Sequence, residues 1–163
     1  MIYKYVAIGV LFASVCYVGG EIKRIYYKKY KYLDRLNAFL VRLSSEIETN
    51  KTPIIEILNS EIESGGAIVD TLNKYKDTIT SRKESESVAP NNIFLTKIEK
   101  EKIEDFFRSL GSFDYDSELA FIRKSESEFG EMLKRAKEDK IKKGDLSFKL
   151  SVMLAFAVTL LLI

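Results

Sequence analysis

Histidine is absent from the 163-residue chain, and cysteine occurs only once, at Cys16. The first absence removes the side chain most used for proton transfer near neutral pH and the commonest ligand of transition metals. With one cysteine and no histidine, neither a structural zinc site of Cys and His ligands nor an intramolecular disulfide can form. Cys16 lies inside an uncharged run, where a thiolate would be costly, and we interpret it as a small apolar filler.

The sequence also lacks a glycine-rich phosphate loop. Gly65 and Gly66 are adjacent and are followed by AIVD, without the lysine and the spaced glycines of a nucleotide-binding loop. Carboxylates are plentiful, but KESES (83–87) and KSESE (124–128) alternate them with serine and lysine, as on a solvent-exposed helix face or loop. We therefore predict a protein that is not an enzyme and has no catalytic, cofactor-binding or metal-binding residues.

The net charge of +2 is too small for the uniformly basic surface of a nucleic-acid-binding domain, whose affinity depends on many Lys and Arg contacts to phosphate. Almost every charge lies in the middle of the chain, because residues 5–20 and 150–163 carry none. A helix of about 20 residues crosses a hydrocarbon core, and each run reaches that length if Lys4 or Lys149 extends toward the headgroups. The sequence thus predicts transmembrane helices at 2–20 and 146–163 around a central domain at 21–145.

A signal peptide is the alternative interpretation of residues 1–20, with Lys4 as its basic start and 5–18 as its apolar core. No small-x-small cleavage site follows, and the valine before Cys16 does not fit a lipoprotein signal. The segment after Gly20 is strongly basic, which exported sequences usually avoid. These features favour retention of the run as a membrane anchor.

Basic residues cluster on the central-domain side of both apolar runs. They are Lys23, Arg24, Lys28, Lys29 and Lys31 after the first run and Lys137, Lys140, Lys142, Lys143 and Lys149 around the second, against Lys4 alone on the far side. The positive-inside rule therefore predicts a double-pass protein of the cell membrane whose central domain is cytoplasmic.

The segment IKRIYYKKYKYL (22–33) alternates tyrosine with basic residues, a pattern compatible with nucleic-acid binding, an exposed helix or a membrane border. Its position beside the first apolar run favours the membrane border. We predict an interfacial belt that contains Tyr26, Tyr27, Tyr30 and Tyr32 with their lysines. The predicted membrane-interface residues are Lys23, Arg24, Tyr26, Tyr27, Lys28 and Tyr30.

Two long helices are predicted by mostly apolar residues at alternating three- and four-residue steps. The first seam runs through Ile22, Tyr26, Lys29, Leu33, Leu36, Leu40, Leu43 and Ile47, and the second through Leu119, Ile122, Glu126, Phe129, Leu133, Ala136 and Lys140. Because both helices start from the same membrane, they must be antiparallel. The predicted fold class is all-α: a membrane-anchored helical bundle whose two long antiparallel helices are continuous with the N- and C-terminal transmembrane helices.

Three or four shorter helices are predicted between the long ones. Thr52 and Pro53 suit the N-cap and first position of a helix that Gly65 and Gly66 end. A third helix follows from the spacing of Ile68, Leu72, Tyr75 and Ile79, and a capping box from Thr96 to Glu99 begins a helix that Gly111 ends. Residues 82–92 are predicted to form an exposed loop, and Asp114 or Asp116 to cap the last long helix.

The sequence resembles the stage III sporulation protein AB family of endospore-forming bacteria over its whole length. Ser45, Glu46, Ile47, Thr52, Pro53, Glu56 and Leu58 are similar to that family's S-E-I-x4-T-P-x2-E-x-L segment, and Leu110, Gly111 and Asp114 to its L-G-x2-D turn. The chain departs from the family's usual residues at Thr49, Asn50, Ile55 and Glu118, and it has no tryptophan.

The resemblance implies a mother-cell membrane protein whose cytosolic helical domain is similar to that of the platform proteins of type II secretion. Such a protein would engage a cytosolic secretion-type ATPase and other subunits of a channel between mother cell and forespore, with no cofactor and no small-molecule substrate. The candidate partner-binding residues are Glu46, Thr52, Pro53, Glu56, Leu110, Gly111, Asp114 and Glu118. A generic two-span coiled-coil adaptor or sensor and a secreted helical enzyme are the alternative interpretations.

Overall fold

The computed structural model describes residues 2–81, 88 and 93–162, and these residues form helices joined by short turns. The helices are α1 (Ile2–Asn50), α2 (Ile54–Ser64), α3 (Val69–Ser81), α4 (Lys97–Ser109), α5 (Tyr115–Asp139) and α6 (Leu146–Leu162), with a π-helical segment, Lys140–Asp145, between the last two. No strand occurs in this described part of the chain, so the all-α prediction is confirmed.

The chain forms two compact units. Unit 1 contains Met1–Tyr30 and Lys134–Ile163, and unit 2 contains Lys31–Leu133, so that α1 and α5 each contribute to both. These boundaries follow the packing of the helices. The boundaries predicted at 20/21 and 145/146 concern the bilayer instead, and they stay predictions.

In unit 2, α1 supplies the centre of the core. All five residues of the first predicted seam that fall in this unit are buried, which confirms that part of the seam: Leu33, Leu36, Leu40, Leu43 and Ile47. Tyr32 and Phe39 are fully buried as well, so the apolar stripe is wider than the heptad pattern predicted. A wide stripe is needed where a helix is covered by more than one neighbour.

Tyr32 belongs to the core of unit 2, and its prediction as part of an interfacial belt was wrong. Its hydroxyl shares a 2.9 Å hydrogen bond with the Thr71 hydroxyl of α3, and its ring lies 5.9 Å from that of Phe94. Burial raises the pKa of Tyr32 to about 12. The tyrosine pattern of the segment did not distinguish this position, because Thr71 and Phe94 are distant in sequence.

The predicted antiparallel packing of α1 on α5 is present within unit 2. The Arg123 guanidinium lies 2.7 Å from the Glu48 carboxylate, and the Ser44 hydroxyl donates to the Glu126 carboxylate at 3.3 Å. Residue numbers therefore fall along α5 as they rise along α1. The Ser44 contact also explains how a glutamate is accommodated in the second seam, where Ile122 and Phe129 are buried.

An aromatic cluster joins α3, α4 and α5. The Phe106 ring lies 5.1 Å from Phe107, 5.7 Å from Phe121 and 5.6 Å from Phe129, and Phe107 lies 5.0 Å from Tyr75. Rings at these separations add to the energy of burial by about 0.5–1.5 kcal/mol per pair. This cluster fixes the position of α4, which begins with the predicted capping box of Thr96 and Glu99.

The helix ends agree with the predicted turn residues except at the start of α2, where the N-cap is Pro53 and the prediction was Thr52. Gly65 (φ 74°) follows α2 and Gly111 (φ 82°) follows α4, both in the left-handed region that glycine tolerates best. Ile79, predicted on the apolar face of α3, is exposed. The predicted loop at 82–92 lies outside the described residues except for Val88, which is buried.

Unit 1 is an antiparallel pair formed by the first part of α1 and the segment from α5 through α6. A Cβ atom on Gly19 would lie 2.5 Å from Ser151 Cβ, so only glycine fits this contact, and the Phe12 and Phe156 rings pack edge to face at 5.3 Å. Both helical segments are long and apolar enough to cross a membrane, and most of their apolar side chains are not covered within the structure.

Candidate functional site

Two turns of unit 2 that are far apart in sequence lie together, and they contain most of the predicted partner-binding residues. The first turn links α1 to α2 and the second links α4 to α5. The Tyr115 hydroxyl donates to the Ile47 carbonyl at 3.1 Å, and a Cβ on Gly111 would lie 3.9 Å from Ile54. We call this region the two-turn surface. It surrounds an open hollow of about 260 Å³ lined by Ile47, Lys51, Thr52, Pro53, Ile54, Gly111, Phe113, Tyr115 and Glu118.

The first turn is closed by Glu46. Its carboxylate accepts hydrogen bonds from the Asn50 amide at 2.9 Å and the Thr52 hydroxyl at 3.2 Å, and these bonds hold the pKa of Glu46 below its usual range. Thr52 was predicted as the N-cap of α2, but Pro53 occupies that position because the Thr52 hydroxyl is directed to Glu46. Glu46 and Thr52 thus hold the end of α1 in place.

The second turn is closed by Glu118, which is only 5% exposed. Its two carboxylate oxygens accept hydrogen bonds from the backbone N–H groups of Gly111, at 2.9 Å, and Phe113, at 3.3 Å. The Tyr75 hydroxyl donates to the Leu110 carbonyl at 2.9 Å, and burial, with a smaller contribution from Glu118, raises the pKa of Tyr75 above its usual range. Leu110, Gly111 and Glu118 therefore build the turn and offer little to a partner.

Asp114 and Glu56 are the exposed carboxylates among the predicted residues. Hydrogen bonds from the Ser117 hydroxyl and backbone N–H hold the pKa of Asp114 below its usual range. This contact makes Asp114 the N-cap of α5, which decides between the two predicted caps, Asp114 and Asp116. Glu56 lies in the first turn of α2, where the helix dipole favours a negative charge.

Apolar residues on the same surface were not among the predicted residues. Phe113 is 48% exposed, Tyr115 43% and Ile55 37%. The Lys51 ammonium lies 5.7 Å from the centre of the Tyr115 ring, and Lys51 itself has φ 50°, an uncommon conformation for a residue with a side chain. Phe113 and Tyr115 flank Asp114 at positions outside the apolar period of α5. These positions could have indicated from the sequence alone that both aromatic side chains are exposed.

The predicted membrane-interface residues lie in unit 1, and four of them contact the π-helical segment: Lys23, Tyr26, Tyr27 and Tyr30. The Lys23 ammonium lies 3.0 Å from the Asp145 carboxylate, and Arg24 pairs with Glu21 at 3.4 Å. Tyr26 packs against Gly144, where a Cβ would lie 3.3 Å away. The Lys140 ammonium lies 5.2 Å from the ring centre of Tyr27 and 4.5 Å from that of Tyr30, while Lys28 is exposed.

Charge is distributed unequally between the two units. Unit 1 contains twelve Lys and Arg residues and four Asp and Glu residues, a net charge of +8. Unit 2 contains fourteen basic and twenty acidic residues, a net charge of −6, and the two add to the +2 of the whole chain. We call the basic residues at 23–29 and 134–149 of unit 1 the basic collar.

Comparison with protein families matches residues 4–163 to stage III sporulation protein AB. The chain belongs to this family. Neither the curated proteins nor the solved structures gave a match. The match covers unit 2 and both helices that are able to cross a membrane, so the stage III sporulation assignment applies to the chain as a whole.

The residues that carry the resemblance to the stage III sporulation protein AB family have structural tasks at the two-turn surface. Glu46 and Thr52 close the first turn, and Pro53 begins α2. Gly111 adopts the left-handed conformation that ends α4, and Asp114 caps α5. Glu118, where this chain departs from the family's usual residue, anchors the second turn.

Proposed function

We propose that the chain is a platform component of a secretion-like channel that connects mother cell and forespore during sporulation. Family membership over residues 4–163 supports a role at stage III of sporulation. A helical unit enclosed in sequence between two apolar helices supports an assembly role at a membrane. The proposal includes no catalytic activity, since Glu46 and Glu118, two carboxylates at the candidate surface, accept hydrogen bonds from the protein's own groups.

The proposed location is the mother-cell membrane, crossed twice, with unit 2 in the cytoplasm. The charge distribution supports this orientation, because basic residues beside membrane spans favour the cytoplasmic side. Four basic residues lie at 23–29 and seven at 134–149, next to the two uncharged runs. Lys4 is the one basic residue before the first run.

The proposed partner of unit 2 is a cytosolic secretion-type ATPase, and the two-turn surface carries this part of the proposal. Exposed aromatic residues such as Phe113 and Tyr115 are typical of the centre of protein interfaces. Glu56 and Asp114 add negative charge, which would set the encounter rate and the register with basic residues of a partner. Five of the eight predicted residues are used to hold this surface in shape, namely Glu46, Thr52, Leu110, Gly111 and Glu118.

Affinity purification of the tagged full-length chain from sporulating cells in mild detergent tests the proposal. We expect a secretion-type ATPase and other membrane proteins of the channel to co-purify. If the chain purifies intact with no ATPase, the platform role is wrong and the two-span adaptor or sensor replaces it. Loss of residues 1–20 from the mature protein would instead favour a secreted protein.

A further inference from the structure

The basic collar lies beside the apolar surface of the same unit, and this combination defines a ligand with two parts. The collar consists of eleven basic residues, and the two segments that carry it, 23–29 and 134–149, also contain three acidic ones. The uncharged residues of α6 begin directly after Lys149, and large side chains such as Leu150, Met153 and Leu154 are exposed. A ligand that matches both features carries a negative charge at one end and hydrocarbon at the other.

We propose that the basic collar selectively binds the headgroups of anionic phospholipids. The inference rests on the proposed membrane location and adds the chemical class of lipid that surrounds the protein. Basic clusters beside a membrane helix attract acidic headgroups, and each Lys or Arg near the surface contributes to this attraction. A free phosphate ion would gain nothing from the exposed apolar side chains, so the phosphate of a lipid headgroup is the better match.

The neighbouring acidic residues do not neutralise the collar, even with Glu21, which pairs with Arg24 at 3.4 Å. Asp145 pairs with Lys23 at 3.0 Å, Asp139 with Lys143 at 2.7 Å and Glu138 with Lys142 at 3.4 Å. Each carboxylate thus compensates one cation, and the collar keeps a large positive excess. Lys28, Lys134, Lys137 and Lys149 have exposed side chains from which an ammonium group can reach a headgroup.

Tyrosine side chains connect the two segments that carry the collar. The Lys140 ammonium lies over the rings of both Tyr27 and Tyr30, and Tyr26 packs against Gly144 of the π-helical segment. Tyrosine has an apolar ring and a polar hydroxyl, which suits the level of lipid headgroups. These contacts hold the two basic segments of unit 1 together, so their charges act on the same lipids.

The experiment compares two lipids around the full-length chain. The protein is reconstituted into phosphatidylcholine vesicles that contain a trace of spin-labelled phosphatidylglycerol or spin-labelled phosphatidylcholine, and electron paramagnetic resonance measures the motionally restricted fraction of each. We expect the anionic lipid to associate roughly fivefold more strongly. Raising the salt concentration from about 50 mM to about 0.5 M should remove most of this preference, because it shortens the screening length.

Variants identify the residues responsible. The triple variant Lys28→Gln, Lys137→Gln, Lys149→Gln should clearly reduce the preference while still inserting into the vesicles, because eight of the eleven basic residues remain. A matched control, Lys74→Gln, Lys97→Gln, Lys124→Gln, removes three exposed lysines of unit 2 and should keep the preference. Equal reduction in both variants would overturn the assignment to the collar.

Two negative outcomes are distinguishable. A wild-type chain that inserts into the vesicles but restricts the two lipids equally overturns the lipid inference and leaves the membrane location intact. A wild-type chain that does not float with vesicles overturns both. Retention of the preference at high salt would also contradict binding through the collar charges.

Discussion

The buried carboxylate of Glu118 accepts a hydrogen bond from the backbone N–H of Gly111 at 2.9 Å, across the turn that joins α4 to α5. Its second oxygen accepts from Phe113 at 3.3 Å. One side chain from the first turn of α5 thus satisfies two backbone donors of the loop before it. The shape of the two-turn surface depends on this contact, because Phe113 and Asp114 lie within the loop.

Glu118→Ala should destabilise unit 2 by about 1–3 kcal/mol, since it removes the charged acceptor of two partly buried backbone hydrogen bonds. Glu118→Gln keeps one carbonyl oxygen and should be less damaging. Urea unfolding of a fragment of residues 24–145, which omits the two uncharged runs, followed by circular dichroism, measures both. Asp116→Ala, at an exposed position of the same turn of helix, is the control. Equal stability of the Ala variant and the control would show that the Glu118 contact is dispensable.

Leu40→Asp should abolish cooperative unfolding of the same fragment, and Val41→Asp should not. Leu40 is fully buried, whereas its neighbour Val41 is 44% exposed. A buried charge without a partner costs several kcal/mol, a large part of the stability of a domain of this size. Thermal unfolding of the two variants is the measurement. A Leu40→Asp fragment as stable as Val41→Asp would contradict the observed core.

Alkaline pH should destabilise unit 2 through Tyr32. Its folded pKa is raised to about 12, against about 10 for an unfolded tyrosine, so the neutral phenol is favoured by folding. This stabilisation is complete below pH 10 and is lost as the pH rises toward 12. Tyr32→Phe should reduce the fall in unfolding free energy there by roughly 1.4 kcal/mol per pH unit. Tyr75, whose pKa is also raised, should maintain part of the fall of the unfolding free energy with pH in the Tyr32→Phe variant.

Urea titrations between about pH 8 and pH 11.5 measure this dependence. Tyr27→Phe removes an exposed tyrosine and serves as the control. If Tyr32→Phe and Tyr27→Phe change the slope equally, burial of Tyr32 is not its cause.

Removal of charge at the two-turn surface should weaken partner binding without loss of fold. The double variant Glu56→Gln, Asp114→Asn suits this purpose, because asparagine also caps a helix and therefore preserves the start of α5. We expect reduced co-purification of the ATPase and reduced spore formation. The control is the double variant Glu63→Gln, Asp70→Asn, which removes two exposed carboxylates at a different turn of unit 2. That turn contains Gly66, which packs against Arg35. Normal sporulation of the first variant, or equal defects in both, would refute the surface assignment.

Ser112 and Tyr3 should lie on opposite sides of the cell membrane, with Ser112 in the cytoplasm. In a Cys16→Ala background, Ser112→Cys should be protected from a membrane-impermeant thiol reagent in intact cells, and Tyr3→Cys should react. Both positions are exposed in the structure. Permeabilised cells provide the control, since both cysteines should then react. Labelling of Ser112→Cys in intact cells would reverse the proposed orientation.

The helices of this protein were predictable because each depends on short-range signals. The spacing of Leu33, Leu36, Leu40 and Leu43 predicted a buried helix face, and the structure confirms it. The capping box at Thr96 and Glu99 and the glycines at 65 and 111 fix helix ends through contacts within a few residues. Periodicity and capping are local properties, so the sequence alone was sufficient for the element order and the all-α class.

Tertiary structure decided which polar and aromatic residues face outward. Tyr32 lies in the same tyrosine-rich segment as Tyr27, yet one is buried against Thr71 and the other is exposed. Glu118 and Asp114 are both acidic residues near one turn. Glu118 is buried and accepts hydrogen bonds from backbone N–H groups, whereas Asp114 is exposed and caps α5. The burial of Tyr32 depends on a partner 39 residues away in the sequence, and that of Glu118 depends on the path of the loop before α5. A sequence pattern records the composition of a face, whereas the packing of distant helices determines what that face contacts.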